Sequence, residues 1–260
     1  MFDDALQMLS SNVDDSIFPQ HETLLTYANG AGKPSSFTEF NAYPFDPPND
    51  VGNTGNGYAN ALFALDAMHW WGQQGLFSLN WLDGAGSFFF INENGNGVLE
   101  AAPILYGCAA YNLSGGADAA NTNLTEGGMV APIKSWSNPG GVNNAMAYAI
   151  ADFNPNTGHC TNLYVTLINS SMSTWTTNFL ANFTVGMPYP GVTRIHRMVL
   201  DQTPGYVSAT NGITLGNADL NGAGPFQPQW EDVGVLNYPY YKPTVTNLTA
   251  QIFEFSCPTN

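Results

Sequence analysis

The pattern of hydrophobic and polar positions predicts a β-strand, a helix and a second β-strand early in the chain. The stretch 34–41 is apolar and β-prone, and residues 76–81 have the same character. Between them, apolar residues recur every three and four positions from Tyr58 to Gln74, the spacing of one helix face, and Gly75 follows as a helix stop. This order predicts a βαβ unit with two parallel strands. Reactive groups in such units gather where the strands end, so we expect the chemistry there.

Other segments of the first third also have recognisable patterns. Residues 1–29 indicate helix and loop, with apolar residues at helical spacing and a separate short segment from Thr23 to Ala28. The apolar residues of the first helix are Phe2, Ala5, Leu6 and Leu9. Residues 87–91 are predicted to be extended, Asn92–Gly97 a turn by composition, and Pro103–Ala110 a helix. His69, Trp70 and Trp71, near the end of the central helix, are expected to pack rather than bind a ligand.

The pattern changes near residue 115, where short β-branched runs separated by turns replace the helical spacing. The predicted strands are Val130–Ile133, Ala145–Phe153, Leu163–Ile168, Thr176–Val185, Val192–Leu200, Val233–Leu236 and Ala250–Phe255. Their alternation favours an antiparallel β-sandwich. The predicted fold class is therefore α+β, with a partial (β/α) barrel segment over residues 1–110 and a β-sandwich domain over residues 111–260.

Composition narrows the classes of partner. The 260 residues are 44% hydrophobic, enough for a real core. Five Lys and Arg residues stand against 20 Asp and Glu residues, a formal net charge of −15, which argues against nucleic acid and anionic membranes as partners. No apolar run reaches the ~18 residues of a membrane span. A surface with few charges and many Asn, Thr, Ser, Gly and aromatic residues is typical of carbohydrate-active proteins that are secreted, so we expect a secreted or extracytoplasmic protein.

The Cys, His and Ser residues do not form a familiar metal or nucleophile motif. Three cysteines allow one disulfide or buried free thiols, and the four histidines lack paired spacing for zinc, so we predict no metal and no cofactor. The Gly-x-Ser-x-Gly motif of esterases does not occur. Arg194, His196 and Arg197 form a basic island that either binds an acidic sugar or, more simply, offsets carboxylates on a strand face.

Several stretches resemble glycoside hydrolase family 79, the β-glucuronidase and heparanase-like group. They are Phe37-Thr38-Glu39-Phe40-Asn41, the Gly/Asn loop after it, Tyr58–Asp66 and Gln74–Trp81, which resemble the seventh strand, helix and eighth strand of that family's barrel. The run 207–216 is similar to its sandwich. The resemblance covers most of residues 33–255. It implies that Glu39 is the nucleophile of a Thr-Glu-x-Asn motif, with Asn41 beside it, in an enzyme that cleaves β-linked sugars with retention.

The chain departs from that family in one important respect. A (β/α)8 barrel needs about 250 residues, whereas only about 110 precede the predicted sandwich. The strand that supplies the acid/base in the family is thus not matched, although retaining hydrolysis needs two carboxyl groups. Glu93 is disfavoured as the second carboxyl because it falls in the predicted turn. Asp83, at the exit of the second strand, is better placed to face Glu39 and to bind a sugar hydroxyl.

Other residues at the strand exits are candidates for substrate binding. Tyr43 and Trp81 are aromatic and either stack against a sugar ring or fill the mouth of the barrel. Asn80 supplies an amide beside them. Carbohydrate is thus the expected ligand of the group formed by Asn41, Tyr43, Asn80, Trp81 and Asp83.

Three hypotheses follow for the molecule as a whole. The first is a retaining glycosidase that uses Glu39. The second is a non-catalytic carbohydrate-binding or structural module descended from such an enzyme. The third is a chain that associates with itself or with a second chain, because two parallel strands with bare edges would otherwise expose backbone and apolar surface.

Overall fold

The computed structural model describes the helices, most of the strands and several connecting segments. The described residues are 19–40, 54–81, 90–93, 96–115, 129–130, 145–153, 160–171, 179–180, 183–184, 194–203, 206–235, 240–241 and 243–256. The predicted helix at Phe2–Leu9 lies outside them. Within them, no helix is both long and apolar enough to cross a membrane.

Three α-helices and a short 3-10 helix belong to the described chain. They are α1 Pro19–Gly30, the 3-10 turn Thr54–Asn56, α2 Tyr58–Gln73 and α3 Pro103–Ser114. Pro19 and Pro103 are the first residues of their helices, where the missing N–H has no cost. After α2, Gly75 adopts φ 80°, so the predicted glycine stop is confirmed. Helix α1 is longer at both ends than the predicted Thr23–Ala28.

The strands are short in the first third and longer after residue 145. They are β1 Ser36–Phe40, β2 Ser78–Trp81, β3 Ile91–Glu93, β4 Leu99–Ala101, β5 Met129–Val130, β6 Ala145–Phe153, β7 Cys160–Asn169, β8 Phe179–Leu180, β9 Phe183–Thr184, β10 Arg194–Gln202, β11 Ile213–Leu215, β12 Glu231–Val235, β13 Tyr240–Tyr241, β14 Thr244–Val245 and β15 Thr249–Ser256. Strand β6 coincides with its prediction, and β7 and β15 extend theirs by a few residues. Strand β10 begins at Arg194 and ends at Gln202, whereas the prediction was Val192–Leu200.

Seven strands form one antiparallel sheet in the order β11, β10, β15, β7, β6, β5, with β12 also paired to β10. Both faces of this sheet are covered. Along β15, Ala250 and Ile252 belong to the core shared with the helices, whereas Phe253 and Phe255 belong to the opposite core. The opposite core is closed by short strand pairs, and Tyr241 of β13 packs edge-on against Phe253 at 5.4 Å. The predicted α+β class with an antiparallel sandwich is therefore confirmed.

Helices α2 and α3 lie between the large sheet and the parallel pair of β1 and β2. One buried core contains residues of α2, α3 and the sheet, among them Leu62, Tyr106 and Leu200, and Phe37 and Leu79 of the parallel pair pack against it. The predicted βαβ unit is confirmed, since β1 and β2 are parallel and joined through α2. Helix α3 continues to Ser114, and the division of the chain at residue 110 stays a prediction.

One local prediction is wrong. Asn92 and Glu93 were expected in a turn, but they belong to strand β3, where Asn92 is opposite Glu100 and Glu93 opposite Leu99 of β4. Composition alone misled the prediction, because Asn and Gly are common in turns but cross-strand pairing holds residues 91–93 extended. Gly97, with φ 77°, lies between the two strands of this hairpin.

Candidate active site

The parallel pair has an irregular register just before its carboxyl end. Phe37 is opposite Leu79 and Phe40 is opposite Trp81, so β1 takes three steps where β2 takes two. This extra residue is a bulge, and Glu39 lies within it, one position before the last residue of β1. Regular alternation would send Phe37 and Phe40 to opposite faces. The bulge instead lets both rings pack on the same core, with centroids 6.0 Å apart.

An aromatic cluster fixes the ends of the two strands against helix α2. Phe40 stacks parallel to Phe63 of α2 at 6.0 Å, and Trp81 meets Phe40 edge-on at 5.1 Å. Trp81 is itself half-buried, and its indole N–H is buried and has no hydrogen-bond partner among the described residues. The three rings together fix where β1 and β2 end relative to the helix.

The predicted site residues divide into those the structure describes and those it does not. Glu39 is in β1, and Asn80 and Trp81 end β2, so these three share the carboxyl end of the parallel pair. Asn80 is exposed. Asn41, Tyr43 and Asp83, the other predicted members, lie outside the described residues. The side chain of Glu39 is likewise outside the description, so its role stays a prediction.

Helix α2 is held at its first turn by the sheet layer. The amides of Tyr58 and Ala59, which have no partner within the helix, each donate to a carbonyl oxygen at 2.8 Å, those of Ala209 and Val207. The Tyr58 hydroxyl lies 3.0 Å from the Leu200 carbonyl oxygen and 2.9 Å from that of Leu248. These contacts anchor the helix that carries Phe63, and through it the aromatic cluster.

A carboxyl group links α2 to the large sheet. The Tyr148 hydroxyl of β6 donates to Asp66 Oδ1 at 2.5 Å. Burial raises the pKa of Asp66 from 3.8 to about 6, although the bond from Tyr148 opposes the shift by favouring the ionised form. Sequence reasoning quoted Asp66 within a motif but gave it no role, because its partner is 82 residues away.

His69, one turn further along α2, is buried and stacks on Tyr148 with centroids 4.9 Å apart and rings nearly parallel. Its Nε2 lies 3.0 Å from Ser114 Oγ, whose proton goes to the Tyr111 carbonyl oxygen at 2.9 Å. The imidazole therefore donates from Nε2. Burial lowers the pKa of His69 to about 3, so the ring is neutral at pH 7. The prediction that His69 packs in the interior is confirmed, and Trp71 is fully buried as well.

The basic island lies on the large sheet and is paired with acids. Arg194 contacts Asp232 at 3.2 Å, and His196 Nδ1 lies 2.9 Å from Glu254. Arg197 Nε donates to Glu231 at 3.1 Å. The simpler of the two interpretations, that these residues offset carboxylates on a strand face, is therefore confirmed. An acidic sugar would have to displace three acidic partners to bind there.

The remaining candidates for reactive chemistry are few. Cys108 is a free thiol on α3, and burial raises its pKa to about 11, which keeps it protonated and unreactive. Cys257 lies outside the described residues. In the part of the chain that the structure describes, no group of three or more His, Cys, Asp or Glu side chains is arranged to hold a metal ion.

Comparison with known proteins assigns the fold to a class. No protein-family model matches the chain, and no curated protein matches it. Several solved structures are similar to it in fold. A 4-O-α-L-rhamnosyl-β-D-glucuronidase from Fusarium oxysporum 12S superposes with a TM-score of 0.63 and 14% identity, over 97% of this chain and 50% of that one. An α-L-arabinofuranosidase from Thermotoga maritima gives 0.59 and 10%, over 98% and 50%.

A family 44 endoglucanase from Clostridium acetobutylium ATCC 824 gives a TM-score of 0.52 and 15% identity, over 90% of this chain and 35% of that one. The chain thus has a glycosidase-like fold, shared with glycoside hydrolases of several families. It spans half or less of the length of these three structures. At such low identities the likeness concerns the fold alone.

Proposed function

We propose that this chain carries the nucleophile half of a retaining glycosidase site for β-linked sugars, with Glu39 as the nucleophile. The observation that supports the proposal best is the position of Glu39 in the structure. It lies in a bulge at the carboxyl end of a parallel strand, beside the end of β2, in a glycosidase-like fold. Bulges next to strand ends are a recurrent way of directing a side chain into an active site.

The mechanism follows from the chemistry of glycosidic bonds. The Glu39 carboxylate attacks the anomeric carbon, an ester bond to the sugar forms, and the bond to the leaving oxygen breaks as an acid protonates that oxygen. The group that acted as acid, now a base, then takes a proton from water. The water oxygen attacks the anomeric carbon, the ester bond breaks, and the sugar and the free Glu39 carboxylate are released. Each step inverts the anomeric centre, so the product retains the β configuration.

We assign the acid/base of such a site to no residue of this chain. Retaining hydrolysis needs the second carboxyl about 5–5.5 Å from the nucleophile. Glu93 is exposed on the β3–β4 hairpin and is not part of the parallel pair. Asp83 remains the better-placed group after β2, and we assign it to a sugar hydroxyl rather than to proton transfer.

The residues around Glu39 are assigned to substrate binding by their chemistry. Asn41 and Asn80 offer amides to hydroxyl groups, and Tyr43 offers an aromatic ring. Trp81 is held edge-on by Phe40 and is half-buried. We assign its ring to packing against a sugar ring, as an aromatic wall of the site.

Substitution of the nucleophile tests the proposal. Glu39→Gln keeps the size of the side chain and removes the attacking oxygen, and we expect turnover of 4-methylumbelliferyl β-D-glucuronide to fall at least about a thousandfold. Glu39→Gly with added azide should regain activity and release a glycosyl azide. Glu93→Gln is the matched control and should retain full turnover. Unchanged activity of Glu39→Gln in a folded protein would contradict the assignment.

A second function, a non-catalytic carbohydrate-binding module, is supported by the length of the chain. The chain spans half of the rhamnosyl-glucuronidase, and its resemblance to family 79 does not include the strand with the acid/base. A module of this kind would bind β-linked oligosaccharides without hydrolysing them. Calorimetric titration with such an oligosaccharide, followed by product analysis, separates the two functions. We place either function outside the cytoplasm, in keeping with the surface composition.

A further inference from the structure

One side chain of the sandwich takes the place of a strand beside β4. In the β3–β4 hairpin the Ala102 amide donates to the Phe90 carbonyl oxygen at 2.7 Å. Because hydrogen-bonded and non-hydrogen-bonded pairs alternate in an antiparallel ladder, the amide and carbonyl of Ala101 are directed away from β3. Asn221 pairs with both: its Oδ1 accepts from the Ala101 amide at 2.6 Å, and its Nδ2 donates to the Ala101 carbonyl oxygen at 3.1 Å. The Asn221 side chain therefore binds Ala101 as the backbone of a further strand would.

A tight turn brings the chain to this position. Leu215 and Ala218 exchange two backbone hydrogen bonds of 3.0 Å, which leaves Gly216 and Asn217 as the two residues of the turn. Both have positive φ, 53° and 61°, as a type I′ turn requires. The turn reverses the chain after β11 and places residues 219–221 against α3 and β4.

A buried hydroxyl of α3 holds residues 219–221 a second time. The Tyr106 hydroxyl donates to Asp219 Oδ1 at 2.5 Å and accepts from the Leu220 amide at 2.9 Å. Tyr106 is itself 1% exposed. Asp219 Oδ1 also accepts from the Asn221 amide at 2.8 Å. These bonds fix the backbone of Asn221, so its side chain is held in place to bind Ala101.

The end of β4 supports the aromatic wall of the candidate site. Ala102, the residue after Ala101, is 2% exposed and forms a small buried core with Ala64 and Ile104. Trp81 packs against that core from the end of β2. A displacement of Ala101 would therefore reach the Trp81 ring through one intervening residue. Asn221 is 120 residues from Ala101 in the sequence, so no local pattern indicates the connection.

We propose that Asn221 is a positioning residue of the sugar site: by holding Ala101, it fixes the core against which Trp81 packs. This inference rests on the proposed function, because it takes the Trp81 ring as a wall of that site. It gives the sandwich a part in substrate binding, although the sequence predicted no site residue there.

Steady-state kinetics of Asn221→Ala with 4-methylumbelliferyl β-D-glucuronide test the proposal. The substitution removes both hydrogen bonds to Ala101, and we expect KM to rise at least about fivefold while kcat changes less than about twofold, because a ring that packs equally on substrate and transition state contributes to binding alone. Asn211→Ala is the matched control: Asn211 is exposed on the segment before β11, and its substitution should leave KM unchanged. An unchanged KM in Asn221→Ala would overturn the proposal.

A double substitution shows whether Asn221 acts through Trp81. Trp81→Leu removes the aromatic ring and keeps an apolar side chain at the end of β2. In that background no ring remains to be positioned, so Asn221→Ala should raise KM much less than it does alone. If Asn221 had only a structural role, the two effects on KM would multiply. Multiplied effects would overturn the proposal.

Hydrogen exchange separates this inference from the enzymatic assignment. If the unsubstituted chain shows no turnover, the glycosidase proposal fails, and the exchange of backbone amides then decides the role of Asn221. In Asn221→Ala, residues 99–102 and 78–81 should both exchange faster than in Asn211→Ala. Faster exchange confined to residues 99–102, or no change, would overturn the inference. If Asn221→Ala does not fold, Asn221→Asp, which keeps the acceptor for the Ala101 amide, replaces it in each measurement.

Discussion

At the scale of single residues, two titratable groups on α2 have opposite pH behaviour. Burial raises the pKa of Asp66 to about 6, so the stability it contributes is fully present below its unfolded value of 3.8 and is lost as pH rises through 6. Burial lowers the pKa of His69 to about 3, so its contribution is present above 6.5 and is lost as pH falls toward 3. Between pH 4 and 6 the stability change from Asp66 and that from His69 have opposite signs as pH rises, so their pH dependences cancel.

This cancellation can be separated by substitution. In Asp66→Asn, His69 is the one member of this pair that still titrates. Relative to the unsubstituted chain, we expect its free energy of unfolding to fall by up to about 1.4 kcal/mol per pH unit from pH 6 to 4. In His69→Gln only Asp66 titrates, and the difference should have the opposite sign. Urea unfolding at pH 4, 5, 6 and 7 measures both. Parallel pH profiles for all three proteins would show that neither pKa is shifted.

The same pairs show what sequence reasoning cannot reach. The tendency of His69 to be buried followed from its place near the end of a helix in a βα unit, where packing surface is common. Its partner Ser114 is 45 residues away, and the Asp66–Tyr148 pair is separated by 82 residues. Such pairs depend on how elements pack in three dimensions, and no local spacing reveals them. Glu39 became a candidate only because its neighbours resemble a motif.

At the scale of elements, periodicity predicted the type of each long element well. The bounds of helix α2 and strand β6 agree with the prediction within a residue. The bulge in β1 could not be predicted, because it is a property of the register between two strands. Hairpin β3–β4 was missed for a similar reason: its residues have turn composition, and pairing alone makes them strands.

The contact between α2 and α3 depends on one glycine. A Cβ at Gly107 of α3 would lie 2.2 Å from the Ala61 carbonyl oxygen and 3.0 Å from the Ala64 Cβ, so the helices would have to separate. We expect Gly107→Ala to destabilise the fold by about 2–4 kcal/mol. Gly224→Ala, where a Cβ meets nothing within 4 Å, is the control and should change stability by less than about 1 kcal/mol. Equal midpoints in urea would contradict this account of the helix contact.

At the scale of the whole molecule, the chain is organised in layers. Helices α2 and α3 pack on one face of the large sheet, and the parallel pair β1–β2 packs against these helices. The sheet layer is acidic and carries the paired basic island, whereas the parallel layer is nearly neutral and apolar. The candidate chemistry lies at the end of the parallel layer. The comparison structures are about twice as long or longer, so the chain represents one part of such an architecture.

The nucleophilic role of Glu39 is the central claim, and covalent trapping tests it most directly. A 2-deoxy-2-fluoro β-glucuronyl fluoride has a leaving group good enough for the first step, while its ring fluorine slows hydrolysis of the ester, so the glycosyl-enzyme accumulates. Peptide mass spectrometry after incubation should locate the sugar on Glu39. A chain that remains unlabelled, or a label on another carboxylate such as Glu93, would contradict the claim.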